Sequence, residues 1–351
     1  MLDECYRLLT SGQVRAGMDL LMDRLSRLRR AHGSEQWDVV FLAEAIRHPI
    51  SRLIWQDPFT DHSFRKPRGY PGDAALLDYI YGRTGIPEGT SELGEAIFQV
   101  NRDRQAPRSV RSRAQILARA IDEAAARFDS PRILSIACGH LREAEMSSAV
   151  MDGRVGELIA LDQDPLSLAE VDRAYGAKGV RPVQQSVRNI IAGKTDYRDL
   201  HLVYAAGLYD YLSDRVAARL TELMFDMLAP GGSLLVANFA PCVEDLGYIE
   251  SYMGWKLIYR EPEQMTALAA GIPSSQWKSH RLFWDEHESI IFLEITKRQT
   301  IKPTVTFLAD PLNVAVPGLA NVTTGDRVRS RNGAHPHNGV RNNGAENPSE
   351  R

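Results

Sequence analysis

Asp162 ends the apolar run Glu157-Leu-Ile-Ala-Leu-Asp162 and lies 23 residues beyond Gly139, which itself ends the run Pro131-Arg-Ile-Leu-Ser-Ile-Ala-Cys-Gly139. Each run has the length and composition of a buried strand. A carboxylate at this distance from a turn glycine can accept hydrogen bonds from both hydroxyls of a ribose. The glycine pattern then separates the ligands. A dinucleotide needs several glycines, because backbone amides must approach a pyrophosphate at a helix N-terminus. Here Gly139 stands alone before His140, Leu141 and Arg142. S-adenosylmethionine carries adenosine without phosphate and asks for one close backbone approach, which the small residues Ala137 and Gly139 can supply. The spacing therefore points to S-adenosylmethionine as the cofactor, bound through Asp162.

Other polar and aromatic residues follow runs of the same kind. After Val180–Val183 comes Gln184-Gln-Ser-Val-Arg188, where Gln185 and Ser186 are candidates for the adenine edge and Val187 for packing on the ring. Ordinary turn chemistry explains polar residues there equally well. The run Leu202-Val-Tyr-Ala-Ala-Gly-Leu-Tyr-Asp-Tyr211 starts as a strand and ends in small residues, of which Ala205 would let a sulfonium approach the backbone. Tyr204, Tyr209 and Tyr211 offer electron-rich faces to a cation, although at least one of the three reads as a core aromatic. Tyr209, Asp210 and His140 are the candidate catalytic residues, Asp210 or His140 serving as base if the methyl acceptor is a hydroxyl. Asp164, directly before Pro165, is better placed than Asp162 to cap the next helix, which leaves Asp162 for the ligand.

The segment Phe64-Arg-Lys-Pro-Arg-Gly-Tyr-Pro-Gly-Asp73 sets a rigid turn before a helix over 74–81, with Asp73 as its N-cap. That accounts for the prolines and glycines but not for Arg68 and Tyr70. A guanidinium on a rigid loop suits a carboxylate, either the methionine end of the cofactor or an acidic substrate.

An open α/β sheet is what would bring these residues together, since ligands bind at the carboxyl ends of its strands. From about 131 to 299 short runs rich in Ile, Leu and Val alternate with helical stretches. They predict parallel strands at 133–137, 158–161, 180–183, 202–205 and 233–238, with Pro230-Gly-Gly as a tight turn. Two later runs, 277–284 and 289–296, predict an antiparallel hairpin at the sheet edge. Before residue 130 the apolar residues recur at helical spacing, and the last helix, with its apolar run over 116–128, carries Arg111, Arg113, Arg119 and Arg127, which read as a solvated face. The expected fold is α/β: a Rossmann-like doubly wound sheet with a terminal antiparallel hairpin, preceded by an all-α N-terminal cap. The expected divisions are a helical cap over 1–130, a cofactor-binding domain over 131–300 and a C-terminal extension over 301–351. From about 318 that extension has too few apolar residues to offset its ordering entropy and reads as disordered, His335 and His337 included.

Composition narrows the partners. With 42 basic and 45 acidic residues in 351, the chain carries a net charge of -3, which gives no broad attraction to nucleic acid and leaves small molecules as the default partner. Cys5, Cys138 and Cys242 lie far apart, without the spacing of a disulfide framework or a zinc site, so a reducing cytoplasm is expected. No apolar run reaches membrane-spanning length, and the opening residues carry no export signal, so no membrane insertion is expected.

The motifs Lys66-Pro-Arg-Gly-Tyr-Pro-Gly-Asp73, Leu134-Ser-Ile-Ala-Cys-Gly139, Ala206-Gly-Leu-Tyr-Asp-Tyr-Leu212 and Trp255-Lys-Leu-Ile-Tyr-Arg260 occur in that order. In them, over about residues 40–299, the chain resembles a bacterial group of class I methyltransferases described as 3-hydroxypalmitic acid methyl ester synthase-like. The resemblance implies cofactor contacts at Gly139 and Asp162, and a helical lid containing Arg68 and Tyr70. The usual glycine-rich loop of such enzymes is reduced here, with His140-Leu-Arg142 in place of smaller residues. The expected activity is methyl transfer to an oxygen of a small molecule, a carboxylate or a hydroxyl. Related helix-capped enzymes cyclise S-adenosylmethionine itself to azetidine-2-carboxylate and methylthioadenosine, and a non-catalytic cofactor-binding module would keep the same fold.

Overall fold

In a computed structural model, which describes residues 1–32 and 36–299, the chain from Arg132 to Lys297 builds one seven-stranded sheet. The C-terminal extension, with His335 and His337, lies outside the described residues. Five strands are parallel: β1 (Arg132–Ile136), β2 (Glu157–Asp162), β3 (Val180–Gln184), β4 (Leu200–Ala205) and β5 (Leu228–Phe239). The hairpin strands β6 (Trp277–Trp284) and β7 (Ile290–Lys297) complete the order β3-β2-β1-β4-β5-β7-β6. β7 is antiparallel to both β5 and β6. The order reverses between β1 and β4, and this is the switch point at which a crevice opens beyond the strand ends.

The central strands read as continuous apolar runs because both faces are covered. Ile133, Leu202, Tyr204, Leu235 and Phe292 face one core, shared with Leu21, Trp37, Ile97 and Leu117 from the helices before residue 130. Leu134, Val203, Val236 and Leu293 face another, shared with Leu220, Met224, Phe225 and Met265. The N-terminal helices thus supply much of one sheet face, and Met1–Ile301 forms one compact unit. No helix among the described residues is long and apolar enough to cross a membrane.

Two local expectations change. The stretch after β1 is not a regular crossover helix: Leu141 is left-handed (φ 52°), a 3₁₀ turn covers Arg142–Met146, and a single α-turn follows at Ser148–Met151. Pro230-Gly-Gly is not a turn but lies inside β5, at an irregularity opposite Leu200 and Leu202. A Cβ at Gly232 would meet the carbonyl oxygen of Leu200 at 2.6 Å, so this close approach of two strands requires glycine.

Candidate functional site

The ends of β1, β2 and β3 are stitched together by Asp162. Its Oδ2 accepts the Gly139 N–H at 2.8 Å and its Oδ1 the Asp164 N–H at 2.9 Å, while its carbonyl accepts the N–H of Gln185 at 2.8 Å. Each carboxylate oxygen therefore spends one lone pair on the backbone and keeps one. Asp164 caps the helix Pro165–Tyr175, accepting from Leu166 N–H at 3.0 Å, as its position directly before Pro165 predicts. Gly139 has a φ of 54°, and Ala137 and Leu141 share this left-handed region (φ 55° and 52°), which costs a residue with a Cβ. Three left-handed residues in five fold the backbone tightly away from the strand end.

Beyond these ends lies a cleft of about 900 Å³. This is at the upper end of the roughly 300–1,000 Å³ found for small-molecule sites. Ala137, Gly139, His140, Asp162, Gln185, Ser186 and Val187 line it from the sheet side, and Arg68 and Tyr70 from the segment before the helix Ala74–Tyr81. Ser186 also caps the helix Val187–Ile191, and the Gln185 Oε1 accepts from the Tyr197 hydroxyl at 3.1 Å. Tyr70 stands edge-on to Tyr211, with ring centroids 6.4 Å apart. Burial, and then the negative charge of Asp162, pushes the Tyr70 phenol well above its ordinary range, so it stays protonated.

Three sequence candidates fall elsewhere. Tyr209 is fully buried in the second core, its hydroxyl bonded to Thr221 Oγ1 at 2.8 Å, because the 3₁₀ turn Tyr209–Tyr211 rotates it away from the cleft. Asp210 does not line the cleft either. It is 2% exposed, accepts the Phe239 N–H at 2.7 Å, and burial pushes its carboxyl up to about 7. Ala205 is buried within β4, and its successors Ala206 and Gly207 reach the cleft instead. Tyr204 is likewise a core aromatic, whereas Tyr211 lines the cleft and accepts a hydrogen bond from Trp255 Nε1 at 2.7 Å.

His140 is in the cleft but is not a free base. Its Nδ1 bonds Asp78 Oδ2 at 2.9 Å and its Nε2 lies 3.3 Å from Arg68 Nη1, so both ring nitrogens are occupied. Arg68 is occupied too, by Asp164 at 2.8 Å and Ser167 at 3.1 Å, and its charge is met within the protein. Arg142 completes the cluster, gripping Asp78 through Nε and Nη2 at 2.7 Å each and Glu170 at 2.9 Å.

Two residues the sequence reading left aside also line the cleft, Arg113 and Glu143, each 5% exposed. Arg113 belongs to the buried face of the helix Gln105–Arg127, with Val110, Ala114, Leu117 and Ile121, not to a solvated one. Its spacing of three from Val110 and four from Leu117 was the available signal: an arginine on the apolar stripe. Arg119 and Arg127 are exposed as expected. Gly72 joins the separate motifs, since a Cβ there would collide with Trp255 and lie 2.7 Å from the Tyr211 hydroxyl. The segments containing Gly72, Tyr211 and Trp255, far apart in sequence, meet at one wall of the cleft.

The fold is a Rossmann-like doubly wound sheet with the terminal antiparallel hairpin of class I methyltransferases, together with a helical N-terminal region. No protein-family model matches the chain, and no curated protein sequence does. Among solved structures, that of a "possible exported protein" from Bordetella parapertussis is similar with a TM-score of 0.54 and 17% identity, over 77% of this chain and 99% of that one. The N-methyltransferase NodS from Bradyrhizobium japonicum WM9 aligns at a TM-score of 0.38 and 14% identity, over 54% of this chain and 96% of that one. Magnesium protoporphyrin IX methyltransferase from Synechocystis PCC 6803, with bound S-adenosylhomocysteine, aligns at 0.42 and 9%, over 63% and 91%. At such identities the likeness is one of fold.

Proposed function

We propose that this chain is an enzyme that transfers a methyl group from S-adenosylmethionine to an oxygen, a carboxylate or a hydroxyl, of a small molecule held in the cleft. The observation that carries this reading is the paired geometry of Gly139 and Asp162. A carboxylate with one free lone pair on each oxygen closes β2 in the crevice at the switch point. The backbone after β1 runs into a 3₁₀ turn, so no regular helix N-terminus is available for a pyrophosphate. An adenosine without phosphate fits this donor set, and a dinucleotide does not.

Asp162 would hold the ribose, Gln185, Ser186 and Val187 the adenine, and Ala137 and Gly139 the close backbone approach. When bound, S-adenosylmethionine supplies an electrophilic methyl on a sulfonium. The residues of the chain then have three tasks. Tyr70 and Tyr211 present aromatic faces and protonated hydroxyls to the cleft, which suits a cation and excludes a competing phenolate nucleophile. Leu208, Leu212 and Val216 line it with apolar surface. His140 and Arg68, tied to Asp78 and Asp164, hold the segment over the cleft. With His140 occupied and Asp210 outside, an acceptor that needs no strong base, such as a carboxylate aligned with the methyl, is favoured over a hydroxyl. The likeness of four motifs to the 3-hydroxypalmitic acid methyl ester synthase-like group supports the same reading.

The test is incubation with methyl-labelled S-adenosylmethionine and a small-molecule extract, followed by product analysis. Label in a new methyl ester or ether supports the proposal. Label accumulating only in methylthioadenosine would replace it with cyclisation, and binding without turnover would replace it with a non-catalytic module. Asp162→Ala should weaken S-adenosylhomocysteine binding by about 1–3 kcal/mol, roughly 5- to 150-fold, in calorimetry. An unchanged affinity would refute the ribose assignment.

A further inference from the structure

Two buried charges on the cleft wall have no part in the reading above. Arg113 Nη1 donates to the carbonyl of Ala206 at 3.1 Å and its Nε has no partner; the buried Asp210 carboxyl feels its charge, but no carboxylate among the described residues lies within the 4.0 Å of an ion pair. Glu143 sits in the 3₁₀ turn after β1, where its Oε1 accepts the Tyr204 hydroxyl at 2.8 Å. Burying a guanidinium or a carboxylate is costly unless a counter-charge offsets it. The two do not touch each other. Both line the same cleft; burial raises the Glu143 carboxyl above its ordinary value, and its backbone hydrogen bond, the Tyr204 hydroxyl and the Arg113 charge draw it back.

A guanidinium and a carboxylate that face one space without meeting are complementary to a ligand carrying both opposite charges. Their place in the sheet agrees. Asp162 and Gln185 lie on the β2 and β3 side of β1, whereas Ala206, which Arg113 grips, follows β4 on the other side. A ligand with its ribose at Asp162 and its base toward Gln185 would bring its opposite end to Arg113.

We propose that Arg113 and Glu143 form a receptor for an α-amino acid group, the guanidinium taking its carboxylate and the Glu143 carboxylate its ammonium. Two sources share this chemistry: the methionine arm of S-adenosylmethionine, which rests on the function proposed above, or an amino acid that is the second reactant. A merely structural Arg113, stapling the end of β4, would alter the melting temperature without discriminating between ligands.

Calorimetry with S-adenosylhomocysteine and with 5′-methylthioadenosine, which shares the adenosine and thioether but lacks the amino acid, separates these cases. The full chain should bind S-adenosylhomocysteine at least tenfold more tightly than 5′-methylthioadenosine. Arg113→Met should lower the first affinity at least tenfold and the second less than twofold, and Arg113→Lys should restore part of the loss. Glu143→Gln, which is isosteric, carries the same comparison if Arg113→Met does not fold. Should the variants leave both nucleosides unaffected, or weaken both equally, the cofactor is not the occupant. A thermal-shift titration with the protein L-α-amino acids then decides: stabilisation of the full chain that both variants lose supports the receptor, and its absence overturns it. If neither nucleoside binds the unaltered chain, the cofactor reading falls, and that titration alone judges the receptor.

Discussion

Asp78→Ala should destabilise the chain by about 3–5 kcal/mol, the usual cost of removing one member of a buried ion pair. Asp78 lies on the helix Ala74–Tyr81, and its carboxylate bonds Arg142 twice and His140 once across to the segment after β1. Without it, Arg142, whose side chain is 9% exposed, keeps Glu170 as its one carboxylate partner among the described residues. Burial alone would raise the Asp78 carboxyl, but the guanidinium and the imidazole overcome this and hold it at about 2. A depressed acid stabilises the fold above its unfolded value near 3.8, and that contribution is lost as pH falls through about 2. Urea unfolding of both chains at several pH values should therefore show their difference shrinking by about 2 kcal/mol between about pH 4 and pH 2. A difference independent of pH would mean that the cluster acts through packing rather than charge.

Arg260→Ala is expected to cost a similar amount, about 3–5 kcal/mol, for a different reason. Arg260 is wholly buried, and its guanidinium donates to the carbonyls of Tyr209 (2.7 Å) and Leu212 (2.5 Å) and to Asn238 Oδ1 (2.5 Å). Its ion-pair partner, Asp214, is 71% exposed and can return to water. The loss lies in two acceptors, the Leu212 carbonyl and Asn238 Oδ1, left without the guanidinium, each worth about 1–3 kcal/mol when buried, while the Tyr209 carbonyl keeps only the Leu212 N–H at 3.2 Å. These acceptors fix the turn that carries Tyr211 to the cleft. The variant should show a lower urea midpoint at an unchanged m value, and weaker ligand binding than its stability alone explains. A midpoint within 1 M of the parent's, at an m of roughly 2–3 kcal/mol/M, would show that water replaces the guanidinium there.

The elements were legible in the sequence to the extent that they rest on local pattern. The hairpin strand over 277–284 is found at those bounds, and the helix over 74–81 begins at the cap supplied by Asp73, which accepts the Leu76 N–H at 2.8 Å. Apolar runs, caps and turn residues act over a few positions, so they can be read there. The segment after β1 departs from the alternation of strand and helix because Leu141 takes a left-handed conformation that no local preference of leucine favours, held by the packing around it.

The site divides along the same line. Asp162, Gly139 and the β3 end are placed by strand order, and their approach follows from the αβ pattern alone. What Tyr209, Asp210, Arg68, His140 and Arg113 do depends on which way a turn rotates and which distant carboxylate stands nearby. Arg68 finds Asp164, His140 finds Asp78, and Arg113 finds no carboxylate within the 4.0 Å of an ion pair among the described residues. One sequence by itself determined the sheet, its switch point and the acid at the end of β2, because periodicity and spacing are short-range. Only the tertiary structure decided which charges are paired within the protein and which are not, because that balance is struck between residues brought together from far along the chain.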